Sequence, residues 1–294
     1  MRLRLGERAV EVERGRPLLM GIVNATPDSF SDPPGRKALE GLVAHAHELV
    51  EDGAAIVDVG GESGRTDRAA VSEAEEAARV VPLVERLVRD GLTVSVDTWR
   101  AEPARAALAA GAAAVNDVSG LSDPVLAELC AEAGAALVLT HTRVGPKEKR
   151  FPDYGGDVVA DVLGFLEERM ALARRLGVRD DQLLLDPGVD LAKTPAQSVE
   201  LLRRLSDLDA LAQPLLLAIS RKDFLGALTG RSPAERDAAT LAAVEPALSV
   251  RGAVLRVHDV RGTADFLRVR SALRGESAVP DGALAAPLRR EAVA

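Results

Sequence analysis

The chain has 294 residues, a length that suits one closed α/β barrel or two small domains, and its hydrophobic fraction of 47% allows a sizeable core. Aromatic residues make up only 2%, so that core has to be built from Leu, Val, Ile and Ala. Thirty-seven basic against 45 acidic residues leave a formal charge of −8, which argues against general nucleic-acid binding by clustered Lys and Arg, and the single cysteine, Cys130, excludes an internal disulfide or a multi-cysteine metal site.

Residues 1–16 alternate apolar and charged side chains around Gly6-Glu7, which predicts a β-hairpin placed to plug the bottom of the fold that follows. The charges interrupt every short apolar run there, so the segment does not read as a signal peptide. No stretch of about 18 apolar residues offers a membrane span, and a cytoplasmic protein is expected.

Eight short apolar runs then follow: "LLMGIV" (18–23), "AAIVDVGG" (54–61), "LTVSVD" (92–97), "AAAVND" (112–117), "AALVLTH" (135–141), "QLLLD" (182–186), "PLLLAIS" (214–220) and "AVLRVH" (253–258). Near-continuous apolar runs are what buried parallel strands require. Between them lie segments of helical period. In "RKALEGLVAHAHELVEDG", Leu39, Leu42, Val43, Ala46, Leu49 and Val50 share a face and Gly53 suits the C-terminal cap. His45 and His47, two apart, point to different faces and read as surface residues, since a helical metal pair needs a spacing of three or four. Cys130 falls in an apolar helical pattern and reads as a small buried residue.

Alternation of eight strands with eight helical segments predicts an α/β fold, a (β/α)8 TIM barrel with an N-terminal β-hairpin; a doubly wound open sheet is the alternative. No linker divides the chain. The expected organisation is the hairpin at 1–16 packed on the barrel, one barrel domain over 17–275 and a loosely held tail over 276–294.

Each run ends in polar groups: Asn24, Glu62, Asp97, Asn116 with Asp117, His141, Asp186, then Ser220-Arg221-Lys222, and finally Arg256, His258 and Asp259. A helix cap explains any one Asn, Asp or Ser. It does not explain Lys222, Arg256 and His258, whereas a barrel collects all eight ends on one rim, where active sites form. Arg221, Lys222, Arg256 and His258 make a basic zone from the last two strands, a usual place for phosphate. Asp97, Asn116 and Asp186 make a zone of two carboxylates and an amide, able to hold a planar heterocycle edge. The outline is a ligand with an anionic group at one end and an N–H-rich ring at the other.

"MGIVNATPDSFSD" (20–32), "VDVGGES", "SVDTWRAEPARAALAAGAAAVNDVSG", "DPG" (186–188), "SRKDFLG" (220–226) and "RVHDV" (256–260), in this order, resemble the dihydropteroate synthase family over about residues 18–270. The resemblance implies a pterin-binding barrel, usually a homodimer, that condenses 6-hydroxymethyl-7,8-dihydropterin diphosphate with p-aminobenzoate and releases diphosphate. It implies that Asp97, Asn116 and Asp186 hold the pterin edge with Lys222 near its carbonyl side, and that Arg256 and His258 bind diphosphate. Asn24 would hold diphosphate and Mg2+, while Ser220 with the loop around Ser63 and Arg65 would receive p-aminobenzoate. Asp97, Asp186, Lys222 and Arg256 carry the catalytic assignment, and segments 25–35 and 63–72 read as lids over the reacting centre.

The chain departs from the family pattern in three places. Gly64-Arg65-Thr66-Asp67 replaces Thr-Arg-Pro-Gly after "GGES", "LTHTR" (139–143) replaces a Met-His-Met-Arg arrangement, and Asp190-Leu191-Ala192 stands before Lys193 where Gly-Phe-Gly is usual. The last change removes an aromatic wall and brings an acidic group near the expected pocket mouth. A non-catalytic pterin-binding homologue and a corrinoid-linked pterin methyltransferase are the competing readings; the retained "SRK" and "RVH" favour the synthase.

Overall fold

A computed structural model describes residues 1–25, 36–62, 69–148, 150–282 and 288. Ser63, Arg65 and most of both expected lids therefore lie outside the described residues, as does much of the expected tail.

Eight parallel strands close into a barrel: β3 (Leu18–Asn24), β4 (Ile56–Gly60), β5 (Val94–Asp97), β6 (Ala114–Asp117), β7 (Ala136–Thr140), β8 (Leu183–Asp186), β9 (Leu215–Leu217) and β10 (Ala253–Val257), with β10 pairing back onto β3. The expected barrel is present, and the open-sheet alternative is excluded by that closing pair. The connecting helices are α1 (Arg36–Glu51), α2 (Glu73–Arg89), α3 (Ala101–Ala109), α4 (Val125–Ala133), α5 (Val158–Arg175), α6 (Pro195–Arg203), α7 (Asp223–Thr229) with α8 (Asp237–Val244), and α9 (Val260–Leu273). After β9 the chain thus makes two short helices where the sequence pattern suggested one.

Local chemistry accounts for the helix ends. Ser72 caps α2 by accepting from Glu75 N–H, Asp157 caps α5 by accepting from Val159 and Ala160, and Thr194 with Gln197 forms a capping box at α6. On α1, Val43, Ala46 and Leu49 are buried as their spacing predicts, but Val50 is 38% exposed because it lies at the edge of the apolar stripe. His45 is exposed, and His47 Nε2 lies 3.0 Å from Asp90.

Residues at the N-terminus pair as the antiparallel hairpin β1 (Arg2–Leu5) and β2 (Arg8–Glu11), turning at Gly6 with φ +62°. Leu3, Leu5 and Val12 are buried against Met20, Ile56, Ala114, Ala136, Val138, Leu184, Leu216 and Val254, the inward residues of the strands' lower half. Arg4 Nε reaches Asp181 at 3.2 Å just before β8. The hairpin closes the barrel's floor, and the site opens at the opposite end. Among the described residues no helix is long and apolar enough to cross a membrane.

Candidate active site

Strand geometry selects which side chains face inward. Side chains alternate across a strand, so Asp58 on β4, Ser95 and Asp97 on β5, Asn116 on β6, Thr140 on β7, Asp186 on β8 and Arg256 on β10 share the inward parity of the apolar floor residues below them. Register puts Asp58 beside Ser95, Gly60 beside Asp97, Asp97 beside Asn116, and Thr140 beside Asp186. The upper half of the barrel interior is therefore a polar ring, and its mouth is a cavity of about 260 Å3 lined by Asp97, Asn116, Asp186, Lys222 and Arg256.

Arg256 organises the ring. Its Nε donates to Asp58 Oδ2 at 2.6 Å and its Nη2 donates to Asp97 Oδ2 at 2.7 Å. Asp58, fully buried, also accepts from Asn116 Nδ2 at 3.0 Å. A carboxylate needs a donor, so this contact fixes the amide orientation and leaves the Asn116 carbonyl oxygen as the acceptor on its other branch. Burial pushes Asp97 up to about 7 against the pull of Arg256, and neighbouring Asp58 adds to the rise. Asp186 accepts from Gly188 N–H at 2.7 Å, and burial likewise raises its pKa, with that bond and Lys222 opposing.

The sequence reading of strand ends overlooked Asp58, whose signal was a lone charge inside the apolar run "IVDVG". It also admitted four residues that the structure turns elsewhere, one of them Asp259, which caps α9 by accepting from Gly262 N–H at 2.9 Å. Asp117 has outward parity and accepts from Ser119 and Leu121 N–H at 2.7 Å each, shaping the following turn. Arg221 forks onto Asp237 at 2.7 and 2.9 Å. His141 is fully buried behind the strand, where burial pushes its pKa down to about 3. Its neutral ring accepts from Lys193 Nζ at Nδ1 (2.8 Å) and faces Asp161 through Nε2 (2.8 Å).

Lys193, 1% exposed, spends its remaining donors on the carbonyls of Gly188 at 2.8 Å and Leu191 at 3.3 Å. That bond set ties down the loop between β8 and α6, whose Leu191 and Ala192 line the cavity. Gly188 has to be glycine: its φ is +67° and a Cβ would lie 2.0 Å from His141 O.

Asn24 stands exposed at the end of β3, opposite Gly60, on which Asp97 also borders. Ser220 and His258 form a pair beside the cavity, with His258 Nδ1 2.9 Å from Ser220 Oγ. Desolvation and the nearby Arg221 and Arg256 lower the His258 pKa, which favours a neutral ring.

At the mouth stands Trp99, the only tryptophan, with the Arg100 guanidinium 4.5 Å from its ring centroid. Arg100 pairs with Glu62 at 2.6 Å and with buried Glu76, and Lys147 meets the other Glu62 oxygen at 2.6 Å. These pairs tie together the loops that follow β4, β5 and β7. Among the described residues no group of three His, Cys, Asp or Glu is placed to hold a metal ion.

Residues 20–258 match the family described as pterin binding enzyme. The chain is 38% identical to the dihydropteroate synthase of Bacillus subtilis over 269 residues, covering 91% of this chain and 92% of that protein. It is 43% identical to the enzyme of Mycobacterium leprae over 261 residues, covering 85% and 91%. Among solved structures, dihydropteroate synthase from Xanthomonas albilineans in complex with 7,8-dihydropteroate superposes with a TM-score of 0.82 at 43% identity, covering 95% of this chain and all of that one. The same enzyme with 4-aminobenzoic acid gives 0.84 at 44%, covering 95% and 99%.

Proposed function

The chain belongs to the pterin-binding enzymes, among the dihydropteroate synthases, transferases of folate biosynthesis; from that premise we propose how its own residues join 6-hydroxymethyl-7,8-dihydropterin diphosphate to p-aminobenzoate. The supporting observation is that Asp97, Asn116, Asp186, Lys222 and Arg256 line one cavity together. Asp186 and Asp97 accept the N–H groups of the pterin's amino-pyrimidinone edge, the Asn116 carbonyl takes another, and Lys222 donates to the ring carbonyl. Asp58 holds Arg256 and Asn116 in place from below.

The C–O bond between the pterin methylene and the diphosphate breaks first, its electron pair leaving with the diphosphate. The cation left on the methylene is delocalised into the electron-rich ring. Asp97 and Asp186 stabilise that charge because they are fixed beside it before it forms. Arg256, His258 and Asn24 line the side toward which the diphosphate leaves. The aniline nitrogen of p-aminobenzoate, positioned by Ser220, then attacks the methylene and loses its proton to solvent; it needs placement more than a base. The methylene carbon gains the C–N bond, the ring recovers the electrons it lent to the cation, and dihydropteroate and diphosphate leave. Cys130, buried, takes no part.

Mg2+ suits the donor set at Asn24. An exposed asparagine at the rim brings an amide oxygen, the kind of ligand suited to an ion that keeps several waters and arrives on phosphate oxygens. When bound it would neutralise charge on the departing diphosphate.

We also propose a homodimer, with the second copy seated over α8 and α9. There Leu241, Phe266, Val269 and Leu273 line an apolar groove, with Val269 58% and Leu273 84% exposed. Sedimentation would show a dimer that Leu273→Asp dissociates.

The test mixes protein, Mg2+, the pterin diphosphate and p-aminobenzoate. Dihydropteroate and diphosphate are expected in equal amounts, with sulfonamides competing against p-aminobenzoate. Pterin that stays bound without product would instead support a non-catalytic binding protein. With p-aminobenzoate omitted and the bridging oxygen labelled, departure ahead of attack predicts scrambling of the label into the non-bridging positions.

A further inference from the structure

Lys222 occupies an awkward position. It is the N-cap residue of α7, with φ −62° and ψ 158°, and makes no side-chain cap. An ammonium has no acceptor to offer the first helical N–H groups, and this one faces the cavity instead. Those N–H groups are satisfied from elsewhere. The Asp190 carboxylate accepts from Asp223 N–H at 2.6 Å, while Leu225 N–H closes a tight turn onto Lys222 O at 3.1 Å. On the carbonyl side, Arg236 Nη1 donates to Arg221 O at 2.9 Å and to Lys222 O at 3.1 Å. Asp190 itself sits at φ +66°, a left-handed conformation that Asp adopts more readily than most side chains, and its own N–H donates to Ser198 Oγ at 3.1 Å. The acidic group expected at the pocket mouth is thus turned away from it, onto the N-terminus of α7.

Resting on the synthase reading above, we propose that Asp190 is a positioning residue for Lys222, supplying the helix cap that the cavity's lysine cannot supply for itself. The carboxylate joins two cavity walls: the loop that leaves β8 after Asp186 and carries Leu191 and Ala192, and the junction after β9, which carries Lys222. Without the cap the junction loses the partner of the Asp223 amide, and the fraction of molecules with Lys222 in place falls. Apparent pterin affinity falls by the same fraction.

The test measures binding of 6-hydroxymethyl-7,8-dihydropterin diphosphate to folded protein through quenching of Trp99, together with Tm. Three variants separate backbone strain from capping. Asp190→Gly relieves the left-handed φ and removes the cap, Asp190→Ala removes the cap and keeps the strained φ, and Asp190→Asn keeps an acceptor and tolerates the conformation. Gly and Ala are expected to weaken binding about three- to thirty-fold, the range set by loss of a cap. Asn is expected to stay within about twofold of the parent. A glycine variant that binds as tightly as the parent, whatever its Tm, overturns the proposal. A parent chain that does not bind the pterin diphosphate overturns the functional reading as well, and with it this role.

Discussion

The two ends of the barrel interior are built from the same strands and differ in nearly every other respect. In the lower half, inward positions hold Met20, Ile56, Ala114, Ala136, Val138, Leu184, Leu216 and Val254, sealed by Leu3, Leu5 and Val12 of the hairpin. One or two pleats higher, the same inward faces hold Asp58, Ser95, Asp97, Asn116, Asp186 and Arg256. The lower half stabilises the fold by burying apolar surface, which tolerates many sequences of similar volume. The upper half keeps charges in a confined space, which is stable only while each one is matched. Fold and chemistry are divided by height along a strand.

Substitution at the boundary has the largest expected effect. Arg256→Ala leaves buried Asp58 without its cation, and breaking such a pair costs about 3–5 kcal/mol. Both Tm and pterin affinity should fall, measured by calorimetry and titration; loss of diphosphate affinity alone would place Arg256 outside the polar ring. Below the boundary, Met20→Ala should cost about 2–5 kcal/mol through the cavity it leaves, with pterin affinity in the folded protein unchanged.

Asp97 separates the two halves by pH. Its carboxyl, pushed up to about 7 by burial, accepts pterin N–H groups only when ionised. Affinity should therefore fall as pH drops through 7, approaching tenfold per unit, and Asp97→Asn should flatten the profile. Stability runs the other way. The native state holds this proton more tightly than the unfolded chain between its ordinary range and 7, so its contribution to stability declines as pH rises through that window. The smallest effect belongs to Cys130→Ala, with a loss on the order of 1 kcal/mol and unchanged turnover.

Much of this division was legible in the sequence. Eight apolar runs separated by helical periods specify the barrel, because buried parallel strands and amphipathic helices leave distinct periods. The polar strand ends point to the rim, and Asp97, Asn116, Asp186, Lys222 and Arg256 do meet in one cavity. What the strand ends could not show was parity. Asn116 faces inward and Asp117 outward although they are adjacent, and His141 lies behind the barrel wall one residue beyond inward-facing Thr140. Counting by twos from Ile56 would have placed Asp58 in the ring. Non-local pairings were out of reach: Asp190 capping a helix 33 residues later, and Lys193 bonding His141 across two strands, depend on how loops meet after the barrel closes.

The sharpest test lies on one strand. Leu184 and Asp186 on β8 face the same way, one pleat apart. Leu184→Ala should lower Tm by roughly 5–15 °C and leave binding of the pterin diphosphate, followed by Trp99 fluorescence, unaltered. Asp186→Asn, which keeps an acceptor for Gly188 N–H, should leave Tm within a few degrees and weaken that binding at least about 100-fold. Tight pterin binding by the asparagine variant, or loss of binding in folded Leu184→Ala protein, would contradict the division of the barrel into a stabilising floor and a chemical rim.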